Sequence, residues 1–347
     1  MRRFARTLAA VALAATVVAG TAGWASGNTQ RAVTGPPPGS ASWRADGVLG
    51  RELPDPARVT PAQVQAFFLG LSGAEQRTLL ERHPSVVGNL DGAPVELRYR
   101  ANARALRASR DPRYSGLAAP GRQILAFDPR GRGQVAEVFG DLRSARHVSV
   151  VVPGSDIDAG TFDRRGDVYG TPAGMAKSLY AEGGPDHAVI AWAGYTTPVG
   201  LSLDAATGTL AEAGAERLTR FTAGLAADGL PAPVVFCHSY GSVVCGLAAS
   251  GLGATDLVVL GSPGMRADDV AGLRTRARVW VAKDDTDWID DVPYVEVAGL
   301  GHGADPAGED FGARRVPARE AEGHTGYFVP GTDSLRAFVA IAEGVSR

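Results

Sequence analysis

From position 123 onward, short apolar runs alternate with longer stretches whose apolar residues recur at helical spacing. The runs 123–127 and 135–139 are split by Asp128-Pro-Arg-Gly-Arg-Gly133 and predict an antiparallel hairpin. A continuous run over 147–152 predicts a buried strand that ends in Pro153-Gly154-Ser155. The pattern then predicts a helix over 171–181, a strand over 188–193 and one long helix over 203–227. Strands over 234–236, 256–260, 278–282 and 314–317 follow, with a small-residue helix after the first and a closing helix over 333–343. Strands alternating with helices imply a mostly parallel central sheet with helices on both faces, an α/β fold spanning 119–347.

The part before position 119 has a different pattern. Thr60-Pro61-Ala62-Gln63 and Ser72-Gly73-Ala74-Glu75 each carry the residues of a capping box and open two helices. A third helix is expected over 96–108, so 59–118 reads as an N-terminal helical extension. Residues 26–58 are rich in Gly, Pro and Ser and predict a flexible linker. Ahead of it, Arg2, Arg3 and Arg6 precede an apolar run over 8–22, and small residues surround Ala25. This is the pattern of an export signal over 1–25, cleaved after Ala25. The run of about 15 residues is shorter than the roughly 20 that span a bilayer, so no stable membrane span is expected after cleavage. The expected location is secreted, or the outer face of the cell envelope.

Composition and charge narrow the function. The 45% hydrophobic content suffices for a real core, and a net charge of −2 offers no basic surface for nucleic acid. The two cysteines, Cys237 and Cys245, stand eight positions apart at a strand end and one turn into the next helix. In an oxidising compartment the pair is expected to form a disulfide; the alternative is two buried thiols.

The chemistry gathers at Cys237-His238-Ser239-Tyr240-Gly241, where an apolar strand passes directly into a helix. That context puts a serine on a sharp elbow with its hydroxyl exposed, as a nucleophile requires, although Cys237 replaces the first glycine of G-x-S-x-G. An antiparallel hairpin followed by about six parallel strands, with the serine after the fifth strand, is the order of the α/β-hydrolase fold. There the acid and the histidine follow the serine in the chain. Asp287 is the expected acid, with Asp284 and Asp285 as alternatives in the same loop. His324 is the expected base because it follows the last strand; His302 precedes that strand and is the alternative. Tyr240 and Ser155 are the expected oxyanion-hole amides, Asp156 being the neighbour considered beside Ser155. His238 is expected to be structural. Trp192 and Tyr195 could shape a pocket or pack in the core. The six histidines show no metal-ligand spacing, and neither metal nor cofactor is expected.

The segments Val87-Gly-Asn-Leu-Asp-Gly-Ala-Pro94, Ala191-Trp-Ala-Gly-Tyr195, His238-Ser-Tyr-Gly-Ser242, Gly261-Ser-Pro-Gly264 and His324-Thr-Gly-Tyr-Phe328 together resemble an actinobacterial α/β-hydrolase family of unknown function, the DUF1023 type. The resemblance runs from Thr60 to the C-terminus. It implies an α/β-hydrolase core with a Ser–Asp–His site and carries Ser239 and His324 over directly; it implies no substrate. The reading is a secreted serine esterase acting on a small-molecule acyl substrate. The alternatives are an inactive binding protein on the same fold and an envelope acyltransferase.

Overall fold

The computed structural model describes residues 29–345, so the expected export signal over 1–25 lies outside the described residues. The sheet has eight strands: β1 (Gln123–Asp128), β2 (Gln134–Gly140), β3 (His147–Val152), β4 (His187–Ala193), β5 (Val234–His238), β6 (Asp256–Leu260), β7 (Arg278–Ala282) and β10 (Arg314–Val316). Their spatial order is β1-β2-β4-β3-β5-β6-β7-β10. The first two strands pair antiparallel, β2 meets β4 antiparallel, and the rest of the sheet is parallel. A separate small hairpin, β8 (Glu296–Val297) with β9 (Leu300–Gly301), stands outside the sheet.

Period-two alternation sorts each strand's side chains onto two faces. Val150, Val152, Val235 and Val259 join one apolar layer, and Val151, Val189, Phe236 and Val258 join the other. The long helix (Thr209–Ala227) and the helix after β5 (Gly241–Ala248) cover the first face with Leu218, Phe221, Val243 and Val244. The helices Pro172–Gly183 and Asp333–Ala342 cover the second with Met175, Leu179, Leu335 and Phe338. The connection from β3 runs to β4 on one side and that from β5 runs to β6 on the other, so the chain direction reverses between the adjacent strands β3 and β5. This reversal opens a crevice at the carboxyl ends of the strands, where ligands bind in open α/β sheets.

The extension contains the helices Pro61–Leu69, Gly73–Arg82, Pro84–Val87 and Val95–Ser109. Both expected capping boxes are present, at Thr60 with Gln63 and at Ser72 with Glu75. Two expectations are corrected here. Part of the stretch read as a flexible linker is packed structure: Ser40–Arg44 is a short helix, Trp43 is fully buried, and its Nε1–H donates to Pro54 O at 2.7 Å. One large aromatic ring outweighs the Gly and Pro content around it, because its burial in the third apolar cluster offsets the entropy of ordering the segment. The helix expected over 203–227 is two helices, Leu203–Ala206 and Thr209–Ala227. The break has tertiary causes: Thr207 O accepts from Tyr240 Oη, Thr207 bridges to Leu300, and Gly208 lies against the Arg266 guanidinium.

Candidate active site

Ser239 stands between β5 and the following helix with φ of 54°, in the left-handed region that non-glycine residues avoid. Such a conformation costs of order 1–2 kcal/mol and persists only where the surroundings hold it. Three contacts do so. Ser239 N–H donates to Leu260 O at 3.0 Å, Ser239 O accepts from Ser242 N–H at 2.9 Å, and Ser242 Oγ donates to Cys237 O at 3.1 Å. The disulfide between Cys237 and Cys245, with Cα atoms 6.4 Å apart, ties the last turn of the strand to the helix behind the elbow. The glycine missing from the motif is thus replaced by one end of a covalent clamp. Ser239 is half-buried, and its hydroxyl has no hydrogen-bond partner among the described residues. Catalytic hydrogen bonds are often loose before substrate is bound.

The loop after β3 approaches this serine closely. A Cβ on Gly154 would stand 2.5 Å from Ser239 Cβ and 3.1 Å from Tyr240 N, so only glycine fits there. Tyr240 N–H and Ser155 N–H have no acceptor among the described residues, whereas Asp156 N–H donates to Pro198 O at 2.9 Å. Ser155 therefore has the available amide and Asp156 does not. Tyr195 Oη donates to Pro153 O at 2.8 Å and steadies the loop from below. Trp192 and Tyr195 are buried and stacked, which makes them core residues and not a pocket wall.

The acid and base meet on the neighbouring loops. His324 Nδ1 lies 2.8 Å from Asp287 Oδ1, which also accepts Ile289 N–H at 2.9 Å. Asp287 Oδ2 accepts Tyr327 Oη at 2.7 Å, and the same phenol oxygen accepts Asp284 N–H at 3.1 Å. Burial works against a charge on Asp287, yet the bonds from His324, Tyr327 and Ile289 outweigh it and hold its pKa below the ordinary value. With Asp287 ionised, His324 Nδ1 carries the hydrogen and Nε2 is free to act as a base. Gly261 lets the pair sit against the end of β6: its φ is 53°, and a Cβ there would come within 2.8 Å of Asp287 Oδ2 and 3.0 Å of His324 Nδ1. Because Ser239 N–H is bonded to Leu260 O, the residue before Gly261, the serine and the histidine–aspartate pair share one edge of the sheet.

The alternatives stand elsewhere. Asp284 is buried, and its carboxylate accepts Thr286 N–H at 2.9 Å and Gly323 N–H at 3.0 Å, while Asp285 is exposed. His302 Nε2 is 2.7 Å from Ala205 O, and burial lowers its pKa to about 4. None of the three bonds to His324. His238 is buried and keeps its structural part: Nε2–H donates to His324 O at 2.7 Å, with the ring centroids 4.7 Å apart. Burial first, and the neighbouring His324 next, push its pKa down to about 3, so it is neutral and a donor at ordinary pH. Sequence reasoning left out three residues of the site: Tyr327, which steadies Asp287; Trp288, whose ring centroid is 4.6 Å from that of His324; and Gly154. Tyr327 and Trp288 both neighbour residues singled out in the chain, but nothing in their spacing tells which way a ring turns. Among the described residues, no cluster of three or more His, Cys, Asp and Glu side chains is placed to hold a metal ion. No helix among them is long and apolar enough to cross a membrane.

A family model described as alpha/beta hydrolase matches residues 128–297. Two curated Mycobacterium tuberculosis relatives, uncharacterized protein MT2140 (strain CDC 1551 / Oshkosh) and uncharacterized protein Rv2079 (strain H37Rv), are each 29% identical over 84% of this chain. The chain spans 57% of the length of each. Among solved structures, XC6422 from Xanthomonas campestris, an a/b serine hydrolase without lid, is 15% identical with a TM-score of 0.37, over 65% of this chain and 94% of its own. Esterase PE8 is 16% identical with a TM-score of 0.37, over 60% of this chain and 97% of its own. At those scores they say nothing about this protein's activity. With its strand order, its elbow after β5 and the family match over 128–297, the chain has the α/β-hydrolase fold.

Proposed function

We propose that this protein is an exported serine hydrolase that cleaves carboxylic esters or related acyl compounds. The observation that carries the reading is the bonded His324–Asp287 pair on the same sheet edge as a serine held at φ of 54°. Ser239 Oγ attacks the carbonyl carbon while His324 Nε2 takes its proton. The Tyr240 and Ser155 N–H groups hold the oxyanion that forms. Collapse of the tetrahedral intermediate expels the alcohol, which leaves with the proton from His324. Water then attacks the acyl-enzyme by the reverse proton route and releases the acid. Asp287 keeps the imidazole in the reactive tautomer and stabilises its charge. The cysteine pair fits an oxidising compartment and supports export along with the leader pattern.

Fluorophosphonate labelling of the oxidised protein, alongside Ser239→Ala and His324→Ala, tests the reading. Labelling that disappears in both variants is the expected result. Correctly folded, oxidised protein that takes up no probe would overturn it and leave a binding protein on a hydrolase fold.

A further inference from the structure

The large apolar side chains left exposed on this fold are concentrated at one place. Leu201 and Leu203 follow β4, and Trp288, Val295, Val297 and Leu300 follow β7; Leu201 is 79% exposed and Val297 54%. Both loops are tied to the site. Asp156 N–H bonds Pro198 O and Gly200 N–H bonds Asp156 Oδ1 at 2.8 Å, joining the first loop to the oxyanion turn. Trp288 packs on His324, and Tyr294 Oη donates to Ser262 O at 3.1 Å, joining the second loop to the histidine edge. The loops also bind each other, through the Thr207–Leu300 bridge and through His302 Nε2 on Ala205 O. The result is a connected apolar rim beside the nucleophile, and clustered exposed apolar surface of this kind marks a contact site.

Charge identifies the partner. The cations of the rim are neutralised within it, Arg266 by Glu296 at 3.1 Å and Lys283 by Asp290 and Asp305. Asp285 and Asp291 are exposed and have no cationic partner among the described residues. Such a rim disfavours anionic head groups and suits an uncharged or zwitterionic surface.

We propose that the two loops seat the mouth of the site on an uncharged or zwitterionic lipid surface, and that the substrate is a long-chain acyl ester drawn from it. The inference rests on the serine-hydrolase reading of Ser239. Hydrolysis there consumes one water and yields the fatty acid and the free alcohol.

The test compares the double variant Leu201→Ser/Val297→Ser with Leu69→Ser, a control on an exposed leucine of the helix Pro61–Leu69. All are made as the exported protein that the expected cleavage after Ala25 leaves, so the apolar leader does not enter the flotation. Two measurements are taken: the rate ratio of dispersed p-nitrophenyl palmitate to soluble p-nitrophenyl butyrate, and flotation with phosphatidylcholine vesicles. The double variant is expected to lose about tenfold or more in the ratio, and to lose flotation, because two large apolar side chains no longer leave water. Leu69→Ser is expected to keep both. An unchanged ratio and unchanged flotation in the double variant would overturn the proposal. So would a dimer that the double variant converts to monomer, which would make the rim a contact between two copies. If neither ester is turned over and Ser239 takes no probe, the hydrolase reading fails, and flotation alone still decides whether the rim docks on lipid.

Discussion

Asp287 receives three donors, from His324, Ile289 and Tyr327, and its side chain is fully buried. Removing one donor of a buried carboxylate costs about 1.5–3 kcal/mol where the bond is charge-assisted. Tyr327→Phe takes the donor from Oδ2 and also leaves Asp284 N–H without its acceptor. The expected outcome is a kcat for soluble ester lower by about tenfold to a hundredfold with little change in KM. The Asp287 pKa rises with the lost bond, toward the ordinary carboxylate value. A kcat equal to that of the wild type would assign Tyr327 a packing role only. His238 acts on the same loop from the other side, through the His324 carbonyl.

At the scale of elements, the elbow is a junction under strain, and the disulfide joins the strand and helix that form it. Bridging residues eight apart stabilises by about 2.5 kcal/mol in the chain-entropy model. Cys237→Ala/Cys245→Ala is therefore expected to unfold at lower urea concentration, by about 2–3 kcal/mol in stability, with the m-value unchanged. Urea curves of oxidised wild type and the double variant measure it, and coincident curves would show that the bridge adds nothing to stability. The oxyanion turn depends on a neighbouring element in the same way, since Tyr195 at the end of β4 holds Pro153 after β3.

For the molecule as a whole, the buried histidines couple stability to pH. His238 and His302 have pKa values lowered from 6.5 to about 3 and about 4, chiefly by burial. Below pH 6.5 the unfolded chain binds protons that the folded chain refuses. Stability is therefore fully present above that value and falls as pH drops toward 4. The slope approaches about 1.4 kcal/mol per pH unit for each histidine. Urea unfolding between pH 7 and pH 4 is expected to show this loss, and His302→Gln to reduce its slope. Equal slopes in the two proteins would place the proton uptake at other groups.

The apolar periodicity of the chain carried the eight sheet strands and most of the covering helices. Strand and helix patterns are local, and burial on both faces leaves little freedom in where each run sits. The elbow was equally legible, because a strand that turns straight into a helix leaves its serine few conformations. Positions set by contacts distant in sequence were not legible. The long helix broke at Thr207 and Gly208 because Tyr240, Arg266 and Leu300 occupy its path. Trp43 turned an apparent linker into packed structure by finding a cluster of helices beyond it. Residue type and spacing left Asp284, Asp285 and Asp287 close together, and only the folded loop set Asp287 against His324 and Tyr327. Local patterns thus determined which elements form, whereas side-chain direction and partner choice were decided by packing between segments far apart in the chain.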